Sequence, residues 1–216
     1  MRDNLTDMRN DRSFQSVPWV SLAFVAGGLL MAVLWIVFTT VHGPTSFNQD
    51  RAVLGRSMFF WGSLLGGPPN LLVALGLILL YPRLAKRAGL LARVGYTLTL
   101  IGLVVSAGMD MFIWGALGPP LFVPVVGIGL IVLALGSRHD PRLQRQSIYL
   151  LTLIGIFQVI AFTLALIPLE VSDQIGGYRI FGLFAHFLTG IGWVALGVGF
   201  WKTQLTIVIK PARDHE

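Results

Sequence analysis

Apolar residues fall in long unbroken runs along this chain and polar residues gather between them, the pattern of helices that cross a bilayer. The first run covers Val17 to Val41, and others follow at Met58 to Leu80, Leu91 to Leu117, Leu121 to Gly136, Ile148 to Pro168 and Ile180 to Trp201. The first is too long for the core of a signal peptide and no small-residue cleavage pattern follows it, so it counts as a span. The chain therefore reads as all-α, a polytopic membrane protein. Its expected plan is a six-transmembrane-helix bundle over residues 17–201, between a polar cytoplasmic tail, 1–16, and a second cytoplasmic tail, 202–216.

The polar residues that interrupt these runs are the informative ones. Asp110 stands in the stretch Gly108-Met109-Asp110-Met111-Phe112-Ile113-Trp114 of the third run. A carboxylate at mid-helix costs roughly 2.5–3.5 kcal/mol on insertion scales, so it must face protein or water and not lipid. At a rise of about 1.5 Å per residue it lies roughly 10 Å inside one face. Helical spacing puts Ser106 and Thr99 on the same side. In the sixth run His186 lies roughly 9 Å below that same face, so acid and imidazole share a level and can meet. Gln158 sits near the centre of the fifth run, where a glutamine usually serves as a hydrogen-bonding link between helices. The second run carries Gly66-Gly67-Pro68-Pro69-Asn70. Two prolines remove two amide donors and clash with the preceding turn, which predicts a kink or a break. A break would line a cavity with free carbonyls and Asn70, whereas a kink would leave those carbonyls bonded to neighbouring side chains. Gly62 and Gly66 form a small-xxx-small pair suited to close helix contact.

Two hairpins look duplicated. Pro82-Arg83-Leu84 recurs as Pro141-Arg142-Leu143, and Tyr96 to Gly102 (YTLTLIG) recurs as Tyr149 to Gly155 (YLLTLIG). The order of elements is the same in both copies, so a tandem helical-hairpin repeat is the expected origin. Aligning the copies pairs Asp110 with Thr163, which makes the acid a feature of one copy alone.

Composition adds orientation and removes several chemistries. The 216 residues are 55% hydrophobic and 12% charged, outside the range of soluble domains. The formal charge of +6 invites a nucleic-acid reading, but the basic residues are arranged by side. With both termini inside, thirteen of the sixteen Lys and Arg lie in inner segments, and only Arg51, Arg56 and Arg179 lie outside. The charge is thus a topology signal first, and contact with anionic lipid head groups is second. The expected partner is the bilayer, with no nucleic acid, and the sequence is open to a homo-oligomer or a larger membrane complex. Without cysteine there is no disulfide, thiolate metal site or cysteine nucleophile. His42, Asp110, Glu170 and His186 suggest a metal or haem site only weakly, because no HxxxH or HExxH pair sets two ligands on one helical face. No cofactor is expected. Trp19, Trp201, Trp61 and Trp114 suit interfacial belts, and Trp35 and Trp193 lie deeper as packing residues.

Two functional classes follow from the same residues. In the first, Asp110, His186, Asn70, Gln158 and Ser106 form an outward-facing substrate or proton site of a small transporter or solute-binding permease. In the second, the chain is a non-catalytic membrane subunit or sensor whose polar residues only specify helix packing. An intramembrane hydrolase using Ser106, Asp110 and His186 is a weaker third, since Ser106 and Asp110 share one helix and nothing in the spacing brings His186 to the hydroxyl.

Overall fold

The computed structural model describes residues 17–42, 52, 54–84, 89–115, 120–139, 143–166 and 179–209. Six helices account for nearly all of them, and there is no strand among the described residues. We label them α1 (Val17–His42), α2 (Met58–Leu84), α3 (Leu90–Met109, continued by a π-helical turn, Asp110–Trp114), α4 (Val123–Ser137) and α5 (Arg145–Ala165). The last, α6, starts at 179–182, passes through a π-helical turn (Leu183–Leu188) and continues over Thr189–Ile209.

Five of the helices are long and apolar enough to cross a membrane; α4 is the exception. Its 15 residues reach about 22 Å, short of a hydrocarbon core of about 30 Å. The fourth run therefore falls short of the full span its composition suggested, because Pro120 and the turn after it lie outside the helix. None of α3, α4 and α5 has a side-chain hydrogen bond at its N-cap.

The helices form a closed ring in which each packs on its neighbours in sequence and α6 returns to α1. Contacts run antiparallel throughout: Gly190 lies on Gly28 and Gly197 on Ser21, while Tyr81 stacks with Tyr96 and Gly136 lies on Ala92. Lipid tails are as apolar as leucine, so packing density rather than water exclusion must hold such a ring. At Gly28 and Gly190 α1 and α6 approach so closely that a Cβ on either would strike the other's carbonyl oxygen. The outward faces are correspondingly apolar, with Leu29, Ile36, Leu75, Ile78, Ile101 and Ile156 exposed.

One half of the ring is filled by a dry core of Phe24, Leu77, Leu130, Leu133, Ile154 and Trp193. The other half, where α3 ends and α4 and α6 begin, contains a cavity. Of the two outcomes expected at the prolines the break does not occur, and α2 runs on from Met58 to Leu84. Close packing of α2 on the end of α3 uses Gly62, which meets the Gly115 carbonyl, and Gly67, which meets Met111. Thr99 is fully buried and donates to Gly95 O at 2.8 Å. The matched tyrosines of the two hairpins also differ, for Tyr96 is 7% exposed and Tyr149 71%.

Candidate functional site

The cavity leaves ≈ 60 Å³ in which the centre of a water molecule can move, enough for about four waters. All six helices contribute to its wall: Met31 from α1, Asn70 from α2, Ser106 and Asp110 from α3, Val126 from α4, Gln158 from α5, and His186, Thr189 and Trp193 from α6. The five side chains singled out in the sequence, Asn70, Ser106, Asp110, Gln158 and His186, thus border a single space. His42 and Glu170 offer no comparison, because the His42 side chain and Glu170 lie outside the described residues. Among the described residues no three of His, Asp and Glu come close enough to hold a metal ion.

Both ionisable groups of the wall stand on π-helical turns. Asp110 opens the turn Asp110–Trp114, which closes when Gly115 N–H donates back to Asp110 O at 2.9 Å. Gly115 adopts φ 56°, in the left-handed region, and its carbonyl packs on Gly62 of α2. A glycine is needed there twice over, for the backbone angle and because a Cβ would meet Phe59. His186 lies within the second π turn, Leu183–Leu188. A π turn inserts a residue into the helix and leaves carbonyls without their usual amide, and such turns recur at functional sites.

Gln158 and Thr189 satisfy the carbonyls released around His186. Gln158 Nε2 donates to Ala185 O at 3.0 Å and to Thr189 Oγ1 at 3.0 Å. Thr189 Oγ1 in turn donates to Phe184 O at 2.8 Å. Gln158 is 7% exposed and Thr189 1%, so these bonds form in a low-dielectric setting where an orphaned carbonyl is costly. On the outer side of the turn Trp35 Nε1 donates to Arg179 O at 2.9 Å, and the indole packs on Phe187. The imidazole itself meets the edge of Phe181, and among the described residues it makes no hydrogen bond. The turn is therefore braced from α5 and from α1, while the ring it carries borders the cavity.

On the α2 side Asn70 Nδ2 donates to Gly66 O at 3.0 Å. Pro68 and Pro69 lack amide protons, so α2 is short of two backbone bonds at this level. Gly27 of α1 lies against the opposite side of α2, where a Cβ would come within 2.9 Å of Pro69 O. The floor of the cavity is Trp193, stacked on Phe24 with ring centroids 5.2 Å apart.

Thr189 and the two π turns escaped the sequence reading. A single threonine in an apolar run has no distinguishing spacing, and an inserted residue leaves no mark without a second copy to count against. Trp114 also borders the cavity. No family model, no curated protein and no solved structure matches the chain.

Proposed function

We propose that this integral membrane protein crosses the bilayer six times with both ends cytoplasmic, and that its cavity is the outward-facing binding site of a small-solute or proton-coupled transporter. The observation that carries the reading is the convergence of Asp110, His186, Asn70, Gln158 and Ser106 on one cavity with room for water. An acid that costs several kcal/mol in lipid keeps part of its hydration in such a space. The segregation of basic residues supports the orientation. In that orientation the mouth, at the end where α3 finishes and α6 starts, faces outward. The duplicated hairpin motifs accord with the parallel repeats of some transporters. A short α4 is accommodated by local thinning of the bilayer or by flanking residues that reach the interface.

Size narrows the solute. At ≈ 60 Å³ the cavity is well below the roughly 300 Å³ of sites for drug-sized ligands. It suits a proton, an ion or a molecule of a few heavy atoms.

The test is flux in proteoliposomes carrying an internal pH-sensitive dye under an imposed pH gradient. Asp110→Asn should reduce pH-dependent flux at least tenfold while the protein remains folded and extractable. Unchanged flux removes the proposal.

The alternative, a non-catalytic subunit or sensor whose polar residues only fix packing, is favoured by one observation: both amide protons of Gln158 are used within the fold. On that reading Asp110→Asn lowers the thermal midpoint in detergent and no flux depends on the residue.

A further inference from the structure

A cavity within an apolar bundle selects its occupant first by charge. An ion leaves water at high cost unless a counter-charge meets it, whereas a neutral polar molecule needs only its hydrogen bonds replaced. Among the described residues that border the cavity there is no lysine or arginine, and Asp110 already has an interaction of its own within the protein. An anion therefore finds no resident cation here, and a cation cannot rely on an open carboxylate.

What the wall offers instead is neutral hydrogen-bonding groups of both signs. Gln158 gives its two amide protons to Ala185 O and Thr189 Oγ1, which leaves Oε1 as an acceptor. Asn70 gives one Nδ2 proton to Gly66 O at 3.0 Å and keeps the other together with Oδ1. Among the described residues the side chains of Ser106 and His186 make no hydrogen bond, and a hydroxyl and a neutral imidazole can each donate and accept. Trp114 and Trp193 add indole N–H donors. Donors and acceptors thus come to one space from α2, α3, α5 and α6. An alcohol carries both signs on a single oxygen, but an amide sets them on two atoms and so can reach groups on different helices at once. We infer that the cavity takes a small uncharged amide, of the size of acetamide or urea. Its N–H groups have Gln158 Oε1 and Asn70 Oδ1 as acceptors, its carbonyl has the Ser106 hydroxyl as a donor, and its flat apolar part has Phe122 and Phe181 beside it. At ≈ 60 Å³ the space for about four waters suits a molecule of about four heavy atoms. The inference rests on the cavity being a binding site, as proposed above, and names the class of its ligand.

Binding is tested by saturation-transfer NMR on the full chain in detergent micelles, with acetamide, acetate and acetamidinium as probes. The three share a methyl group and nearly one shape, and differ in charge. The measurement is made at about pH 8, where an ordinary imidazole is uncharged. Saturation should reach the acetamide methyl above the level of empty micelles, and at least about fivefold more strongly than either ion. Asn70→Leu, which removes both poles at similar volume, should bring acetamide to that background. Should this variant not fold, Ser106→Ala, which deletes one hydrogen bond, should weaken acetamide binding about fivefold. The inference is overturned if acetamide stays at background, if either ion matches it, or if the folded variant binds acetamide as the wild type does. Because this measurement needs no membrane, acetamide binding without flux would remove the transport reading and keep the ligand class. Flux without acetamide binding would do the reverse.

Discussion

Gln158 shows most directly how one side chain serves both the fold and the cavity. Its amide nitrogen closes the π turn of α6 and its oxygen is turned the other way. Interhelical hydrogen bonds in membranes average only about 0.6 kcal/mol, but leaving a buried carbonyl without a donor costs about 1–3 kcal/mol. The second effect should win at Ala185, because Gln158→Leu leaves that carbonyl buried. We therefore expect Gln158→Leu to lose about 1 kcal/mol or more of stability, read from denaturant unfolding in mixed micelles. It should also move the His186 ring signals in an NMR spectrum, whereas a substitution at exposed Leu29 should do neither. Asp110, His186 and Gln158 were legible in the sequence because each is an ionisable or amide side chain deep in a run whose other polar residues at that depth are serine and threonine. Thr189 was not, since its role depends on a carbonyl released only when the helix widens.

Among the elements, α3 and α6 are the irregular ones, and each irregularity coincides with an ionisable residue. The turn on α3 depends on Gly115 at φ 56°. A residue with a Cβ in that conformation costs about 1–2 kcal/mol, and contact with Phe59 adds to it. Gly115→Ala should therefore lower the thermal midpoint. Gly190→Val should be worse, because the added atoms run into the Gly28 carbonyl and push α6 from α1. Loss of folded, monodisperse protein on size-exclusion chromatography checks this. Helix positions were readable from apolar runs to within a few residues, as with Val17 to Val41 against Val17–His42. The continuity of α2 through Pro68 and Pro69 was not readable, because neighbouring helices decide whether a proline-bearing helix parts or stays whole.

For the molecule as a whole, the absence of cysteine gives a direct test of orientation. A single cysteine in place of exposed Arg56 should react with a membrane-impermeant thiol reagent added outside. One in place of exposed Arg138 should react only once the inner face is opened. The reversed pattern would invert the protein in the membrane. The order of helices around the ring was not legible from hydropathy, because a run of apolar residues records depth and not neighbours. The stacked rings of Phe24 and Trp193 have a consequence of their own. They make the chamber a blind alley, with a mouth at one end and tightly packed side chains at the other. On the transport reading, passage to the far side would need this indole to swing aside, which the emission of a variant keeping Trp193 as its single tryptophan should register.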